Sequence, residues 1–477
     1  MIVRTIFKNI SPLDHRYSIF EQETYNLVAP WVSEEAAILT CIKAELALVL
    51  AHLEERGTLT PALREKLIAA GASVQPEAVY AEEAKTRHNI RALVNVLKAA
   101  VPQEVAPLVH LGATSADILD TSLSYRIKGV AHHVLIPMLR TLELRLCDLA
   151  EEHARTPQVG RTHGQHAVPI TLGFAVAEYV SRLGKSILEI KARANGLCGK
   201  LSGAVGAYNA TSMISPDPEK LERRYLAELG LEPSEHSTQL VEPEYLLRLL
   251  LEFNTAFGIV ANLADDLRNL QRSEIGELKE SFADDQVGSS TMPQKRNPWN
   301  SEHVKSLWKA FSPRVVTFFM DQISEHQRDL TNSASQRFIA DYIAGFAFAV
   351  KRMTSVVESL VVDKERLLQN LRGGAGGIPG GICAESAYIL LAESGASGAH
   401  ETIRRVTLKA ERERLTFVHA LSGESAALSA IEGQLKKLML IGETETAIDY
   451  FSKPENYRGL AAEKAIDLAR KYRASVG

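Results

Sequence analysis

Proline is expelled from helix interiors at a cost of about 3 kcal/mol, and this chain leaves three long stretches without one. They lie between Pro169 and Pro216, Pro243 and Pro293, and Pro313 and Pro379. Each has room for a helix well beyond the usual ~11 residues. In the second, Leu246, Leu250, Phe253, Phe257, Val260, Ala264 and Leu267 step by alternating fours and threes, and Ile339, Ile343, Phe346, Val350, Met353, Val357 and Leu360 repeat the pattern in the third. That average of about 3.5 is a bundle seam, not the period of two expected of strands. The expected fold is therefore all-α, with a central bundle of long helices. Its stripes are expected to exceed what one chain can cover, so that neighbouring subunits would share it.

Punctuation divides the rest. Glu34 to Arg56 is rich in Ala, Leu, Ile and Glu and stops at Gly57, as a helix with glycine after its C-terminus should. The apolar helix of the first stretch is placed near Pro169, and the cluster Gly373 to Gly381 is expected to break the third long helix. Three helical domains follow: 1–113, the bundle at 114–371, and 372–477. The glycine cluster fits GxGxxG in no register and follows no strand pattern, so it is not a dinucleotide fingerprint.

With 477 residues, 45% hydrophobic and 23% charged, the chain can bury a large core. A net charge of -4 argues against a nucleic-acid partner, which demands a basic face. The four cysteines are scattered without CxxC spacing and read as reduced. No secretory signal and no run near the ~18 apolar residues of a membrane span is recognised, so a cytoplasmic protein that binds no membrane is expected.

Three segments carry chemistry. In Gly288-Ser289-Ser290-Thr291-Met292-Pro293-Gln294-Lys295-Arg296-Asn297-Pro298, hydroxyls on a mobile backbone precede a proline-fixed turn, an ammonium and an amide. Such a set suits removal of a proton beside a carboxylate, where charge building on the carboxylate oxygens meets prearranged donors. The plainer reading is a surface loop with incidental charges. In Gly160-Arg161-Thr162-His163-Gly164-Gln165, the histidine can give a proton to a leaving nitrogen, or be structural. In His110-Leu111-Gly112-Ala113-Thr114-Ser115-Ala116-Asp117, hydroxyls beside glycine can cradle a carboxylate, or simply cap a helix.

The loop resembles the GSSxMPxKxNP signature of the fumarase/aspartase superfamily, whose members break C–N or C–O bonds by β-elimination and usually release fumarate. The other two segments are similar to RTHGQ and HxGxTSxD of its adenylosuccinate lyase branch. The resemblance implies Ser289 as base, activated by nearby positive charge and backbone N–H groups. It implies Lys295 and Asn297 as stabilisers of the aci-carboxylate, His163 as general acid, and Thr114 and Ser115, with His110 and Thr162, on the substrate. The carboxylate that orients the acid in related lyases falls on Glu302, for which a surface charge at a helix start is an equal alternative. A homotetramer with composite sites is implied, and no cofactor. No metal is expected either, since the histidines show no HExxH spacing with carboxylates.

Further segments bear on the substrate. Ser11-Pro12-Leu13-Asp14-His15-Arg16-Tyr17 resembles SPxDGRY, where Arg16 and Tyr17 would help bind a nucleotide phosphate. Arg328 to Arg337 resembles RDxSHSSxER, with Arg328, Ser333 and Arg337 matching. Ser237-Thr238-Gln239 matches STQ, placing Gln239 on the succinyl group, and Thr86-Arg87-His88-Asn89 is similar to TxHD, placing Arg87, His88 and Asn89 near the nucleotide. Four positions depart: His15 for glycine, Asn89 for aspartate, Asn332 for histidine and Gln336 for glutamate. Losing an acceptor-only carboxylate for an amide at Asn89 changes which donors can be satisfied. The resemblance implies cleavage of adenylosuccinate to AMP and fumarate, and of succinylaminoimidazole carboxamide ribotide. An argininosuccinate-type lyase, a carboxymuconate-type cycloisomerase and a non-catalytic structural protein are the alternatives.

Overall fold

The computed structural model describes residues 5–282, 291–292, 294–374 and 376–476. It is 67% helical with little sheet, the all-α fold expected. Two compact units can be distinguished: Met1–Arg140 with Lys185–Ala261 and Val304–Arg352, and Thr141–Gly184 with Asn262–His303 and Met353–Gly477.

The three proline-free stretches hold helices Leu172–Asn195, Glu244–Leu270 and Ile339–Glu358. Of the residues read as seams, only Leu246 and Leu360 escape full burial. In the first unit the two seams meet through aromatic rings, with Phe346 6.2 Å from Phe253 and 5.0 Å from Phe257; beside them Phe318, from the helix Val315–Met320, stands edge-on to Tyr342 at 5.1 Å. Burying each such ring contributes about 2–3 kcal/mol, so the cluster is a principal support of the unit.

Helix Glu34–Glu55 is buried on nearly every side. The Ser33 hydroxyl accepts the Ala36 N–H at 3.1 Å to open it, and Gly57, at φ +66°, follows its end. Helix Ser115–Val130 runs through a π-helical stretch, Ala131–Leu135, into Ile136–Glu152. Pro137 explains the stretch: its ring would collide with the carbonyl four residues back in α-helical register, and a wider turn relieves this.

In the second unit, the residues just before the first long helix form an antiparallel hairpin, strands Pro157–Thr162 and Gln165–Thr171. The helix therefore starts at Leu172, after the strand containing Pro169. Val159 joins the hairpin to a core of C-terminal helices with Leu371, Ile403, Phe417, Leu435 and Phe451.

Two further expectations are corrected. The glycine cluster does not end the third long helix, which stops at Glu358; Val361-Val362 pairs with Leu278-Lys279, and Asp363 caps a new helix, Lys364–Arg372, that Gly373 closes. The segments Gln22–Glu55 and Glu244–Leu270 are long and apolar enough to cross a bilayer by length and composition. Most of the apolar window in each is buried inside the protein, as in a core helix.

Candidate active site

The first unit contains a cavity of about 640 Å³. Its wall holds His88, Asn89, Thr114, Ser115, Gln239, Arg328, Ser333 and Arg337, eight of the residues read as substrate-binding. Two helices begin here. Thr114 stands before helix Ser115–Val130 and His88 before Asn89–Ala100, where the His88 Nδ1 accepts the Arg91 N–H at 3.2 Å. The lining carries both signs: the guanidiniums of Arg126, Arg328 and Arg337 and two helix N-termini can meet an anion, and Glu34, Glu83 and Asp120 stand in the same cavity. Thr114 thus begins a helix and lines a cavity, so its two readings are compatible.

The wall is braced from behind. The Asp117 carboxylate accepts the Thr114 N–H at 2.7 Å and the Gly203 N–H at 3.2 Å, and it pairs with Lys200; both side chains are fully buried. Asp120, also in the wall, accepts the Val241 N–H at 3.0 Å and so holds the turn after Gln239. Desolvation pushes its carboxyl up to about 6, against the lowering effect of that N–H. Arg328 donates to Gln239 Oε1 at 2.9 Å, which orients both. Asp120 and Lys200 carry no sequence signal of this role, and Asp117 carries only the TSxD pattern.

Other expected binding residues lie elsewhere. Arg16 rests over Phe20 at 5.3 Å, and Tyr17 packs on Phe348 at 4.8 Å, with burial raising its hydroxyl pKa. Arg87 is an exposed left-handed residue at φ +53° that ends helix Pro76–Thr86. His110, at φ +65°, donates its Nδ1–H to buried Glu45 at 2.7 Å. None of these four lines the cavity. Asn89, Asn332 and Gln336, three of the four departures from the family pattern, all do.

In the second unit His163 and Gly164, at φ +54° and +73°, are the two central residues between paired Thr162 and Gln165. Two left-handed residues in a two-residue loop make a type I′ turn, whose twist matches the strands. Thr162 and His163 are exposed at this tip. The hairpin is held below: Arg161 donates to Glu277 at 2.5 and 3.1 Å, and Gln158 and Asn370 donate to the same buried carboxylate at 2.9 and 2.8 Å.

Ser289 and its neighbours 283–290 lie outside the described residues, as does Pro293. Of the loop's remainder, Lys295 is exposed and Asn297 half-buried. Glu302 is exposed in the first turn of helix Trp299–Phe311. The carboxylate that anchors this helix is Glu280, which accepts from the backbone N–H groups of Asn300 and Ser301 at 3.2 and 2.8 Å and from the Ser301 hydroxyl at 2.6 Å.

A family model described as lyase matches residues 11–310, and one described as adenylosuccinate lyase C-terminal matches 324–441. The chain is 32% identical to the adenylosuccinate lyase of Pyrococcus horikoshii, over 95% of this chain and 96% of that one. It is 29% identical to that of Archaeoglobus fulgidus, over 97% and 98%. Among solved structures, a fumarate lyase from Mesorhizobium shares the fold with a TM-score of 0.77 at 21% identity, covering 94% of this chain and 97% of that one. The 3-carboxy-cis,cis-muconate lactonizing enzyme from Pseudomonas putida does so with 0.77 at 22%, covering 95% and 99%.

Proposed function

Because the chain belongs to the adenylosuccinate lyase family of the fumarase/aspartase superfamily and is a lyase of the C–N type, we propose that it cleaves adenylosuccinate to AMP and fumarate, and succinylaminoimidazole carboxamide ribotide likewise. The observation that carries this reading is the cavity, which gathers Thr114, Ser115, Gln239, Arg328, Ser333 and Arg337 around one space.

In the proposed mechanism the two helix N-termini, the hydroxyls and Arg328 hold the anionic groups of the substrate. Ser289 removes the proton next to a carboxylate, and Lys295 and Asn297 meet the charge that develops on its oxygens. His163 protonates the departing nitrogen, so the C–N electron pair leaves with that proton and fumarate forms. Arg16 and Tyr17 serve the phosphate, with Arg87, His88 and His110 nearby, and Glu302 orients the acid. The working form is a cytoplasmic homotetramer with three domains, 1–113, 114–371 and 372–477, whose sites take residues from more than one chain.

A second reading has its own support. The three amides Asn89, Asn332 and Gln336 replace two carboxylates and an imidazole of the family pattern in one cavity. Amides both donate and accept, so a succinyl adduct of a different ring is the alternative substrate. The test is to mix purified protein with adenylosuccinate, follow the ultraviolet change as the purine loses its succinyl group, and identify fumarate by chromatography. Prompt turnover supports the first reading. Turnover only with another fumarate-releasing adduct supports the second.

A further inference from the structure

The hairpin under His163 is secured at one rung. Arg161 and His166 face each other across the strands, one pair below the Thr162–Gln165 pair that flanks the turn. Arg161 is clamped by both terminal nitrogens to Glu277, a carboxylate with no exposed surface. His166 donates its Nδ1–H to the Gly374 carbonyl at 2.7 Å. Thus each strand is tied, immediately below the turn, to a separate part of the same unit.

Both anchors are themselves fixed. Glu277 also receives Gln158 and Asn370, and its own N–H donates to the Leu270 carbonyl at 3.0 Å. Gly374 sits at φ +83°, and a Cβ there would stand 1.8 Å from the Ile378 carbonyl oxygen. Only glycine tolerates that approach. The glycine-rich segment, which matches no nucleotide-binding pattern, therefore presents a carbonyl to the hairpin.

We infer that Glu277 is a positioning residue for His163, acting through Arg161, with the Gly374 carbonyl as its counterpart on the opposite strand. This rests on the reading of His163 as the acid. An acid held on an exposed two-residue turn delivers its proton only where that turn is rigid, because a displacement of about 1 Å lowers turnover by up to ~100-fold. Glu277 reaches no substrate; it removes freedom from the turn.

The test is a double-mutant cycle in the full-length protein with a substrate that it turns over. Glu277→Gln should lower kcat by about 30-fold while KM stays within about threefold, and His163→Gln should lower kcat by about 1,000-fold. The double variant should be no slower than His163→Gln alone, since Glu277 acts only through that imidazole. Glu277→Asp, which keeps the charge, should recover part of the loss. If Glu277→Gln fails to fold, Arg161→Gln replaces it in the cycle, with about a tenfold loss in kcat and the same non-additivity. Multiplied losses in the double variant, or wild-type kcat in folded Glu277→Gln, would overturn the inference while leaving His163 as the acid. Near-wild-type turnover in His163→Gln would sink the acid assignment and the inference with it.

Discussion

On the proposed reading, the cavity of the first unit and the hairpin of the second solve opposite problems. The cavity collects side chains from distant segments, 88–89, 114–115, 239 and 328–337, with Arg328 hydrogen-bonded to Gln239 and Thr114 held by the buried Asp117–Lys200 pair. The hairpin presents one histidine outward on an exposed turn and places its polar connections beneath it. Recognition of several groups needs many convergent donors, whereas proton delivery needs one group held still. The difference predicts that damage to the two regions should appear in different kinetic constants.

The largest expected effect falls on chemistry. Ser289→Ala and His163→Gln should each reduce kcat by about 1,000-fold with substrate affinity nearly unchanged, as rapid-quench turnover and equilibrium titration would show. Loss of affinity in step with kcat would erase the distinction between the regions. Next comes the support of the cavity. Lys200→Met leaves the Asp117 charge buried without its partner, which should cost about 3–5 kcal/mol by chemical denaturation. An unchanged midpoint would mean that the pair does not brace the wall.

Arg328→Met removes a charged donor from the cavity and frees Gln239. KM should rise by about 10- to 100-fold, with kcat altered less than fivefold. A fall confined to kcat would move Arg328 from binding to chemistry.

A smaller effect concerns pH. Burial raises the Asp120 carboxyl from 3.8 to about 6 in the folded protein. Folding favours the protonated form, so that contribution is fully present below pH 3.8 and lost as pH rises through about 6. Between those values wild type should lose about 1–3 kcal/mol relative to Asp120→Asn, measured by denaturation near pH 4 and near pH 7. Parallel curves for the two proteins would contradict the raised value. The smallest change, Asn89→Asp, should shift preference between adenylosuccinate and other succinyl adducts by about tenfold. No shift would mean that the amide does not touch the variable ring.

The long helices could be read from sequence because their signal is local and repeated. Proline-free stretches and a seam such as Leu250, Phe253, Phe257 and Val260 state both the period and the buried face, and that face is buried as expected. The Glu34 helix was equally legible from its start to Gly57. The hairpin was not. Gln158, Arg161, Gln165 and His166 lack the apolar alternation of a half-buried strand, because the strands are tied by polar side chains as well as by Val159. A His-Gly pair between two extended runs was the available signal for a two-residue turn.

Long-range partnerships were the hardest to see. Glu277 matters through Arg161, 116 positions away, and Asp117 through Lys200, 83 positions away. Nothing in local spacing distinguishes Glu277 from a solvated charge, and the TSxD spacing marks Asp117 only as a helix-capping carboxylate, not as the partner of Lys200. Glu280, before the loop, caps the helix Trp299–Phe311 whose first turn holds Glu302, and that partnership too spans 21 positions. Arg16 and Tyr17 fit a phosphate pattern by sequence, and their packing on Phe20 and Phe348 had no local signal.

The central claim is the separation of binding in the cavity from proton delivery at the hairpin, and single-turnover kinetics of His163→Gln beside its substrate affinity tests it most directly. The predicted result is a Kd within about threefold of wild type and a cleavage rate lowered at least 100-fold. A comparable loss in both, or a cleavage rate near that of wild type, would contradict it.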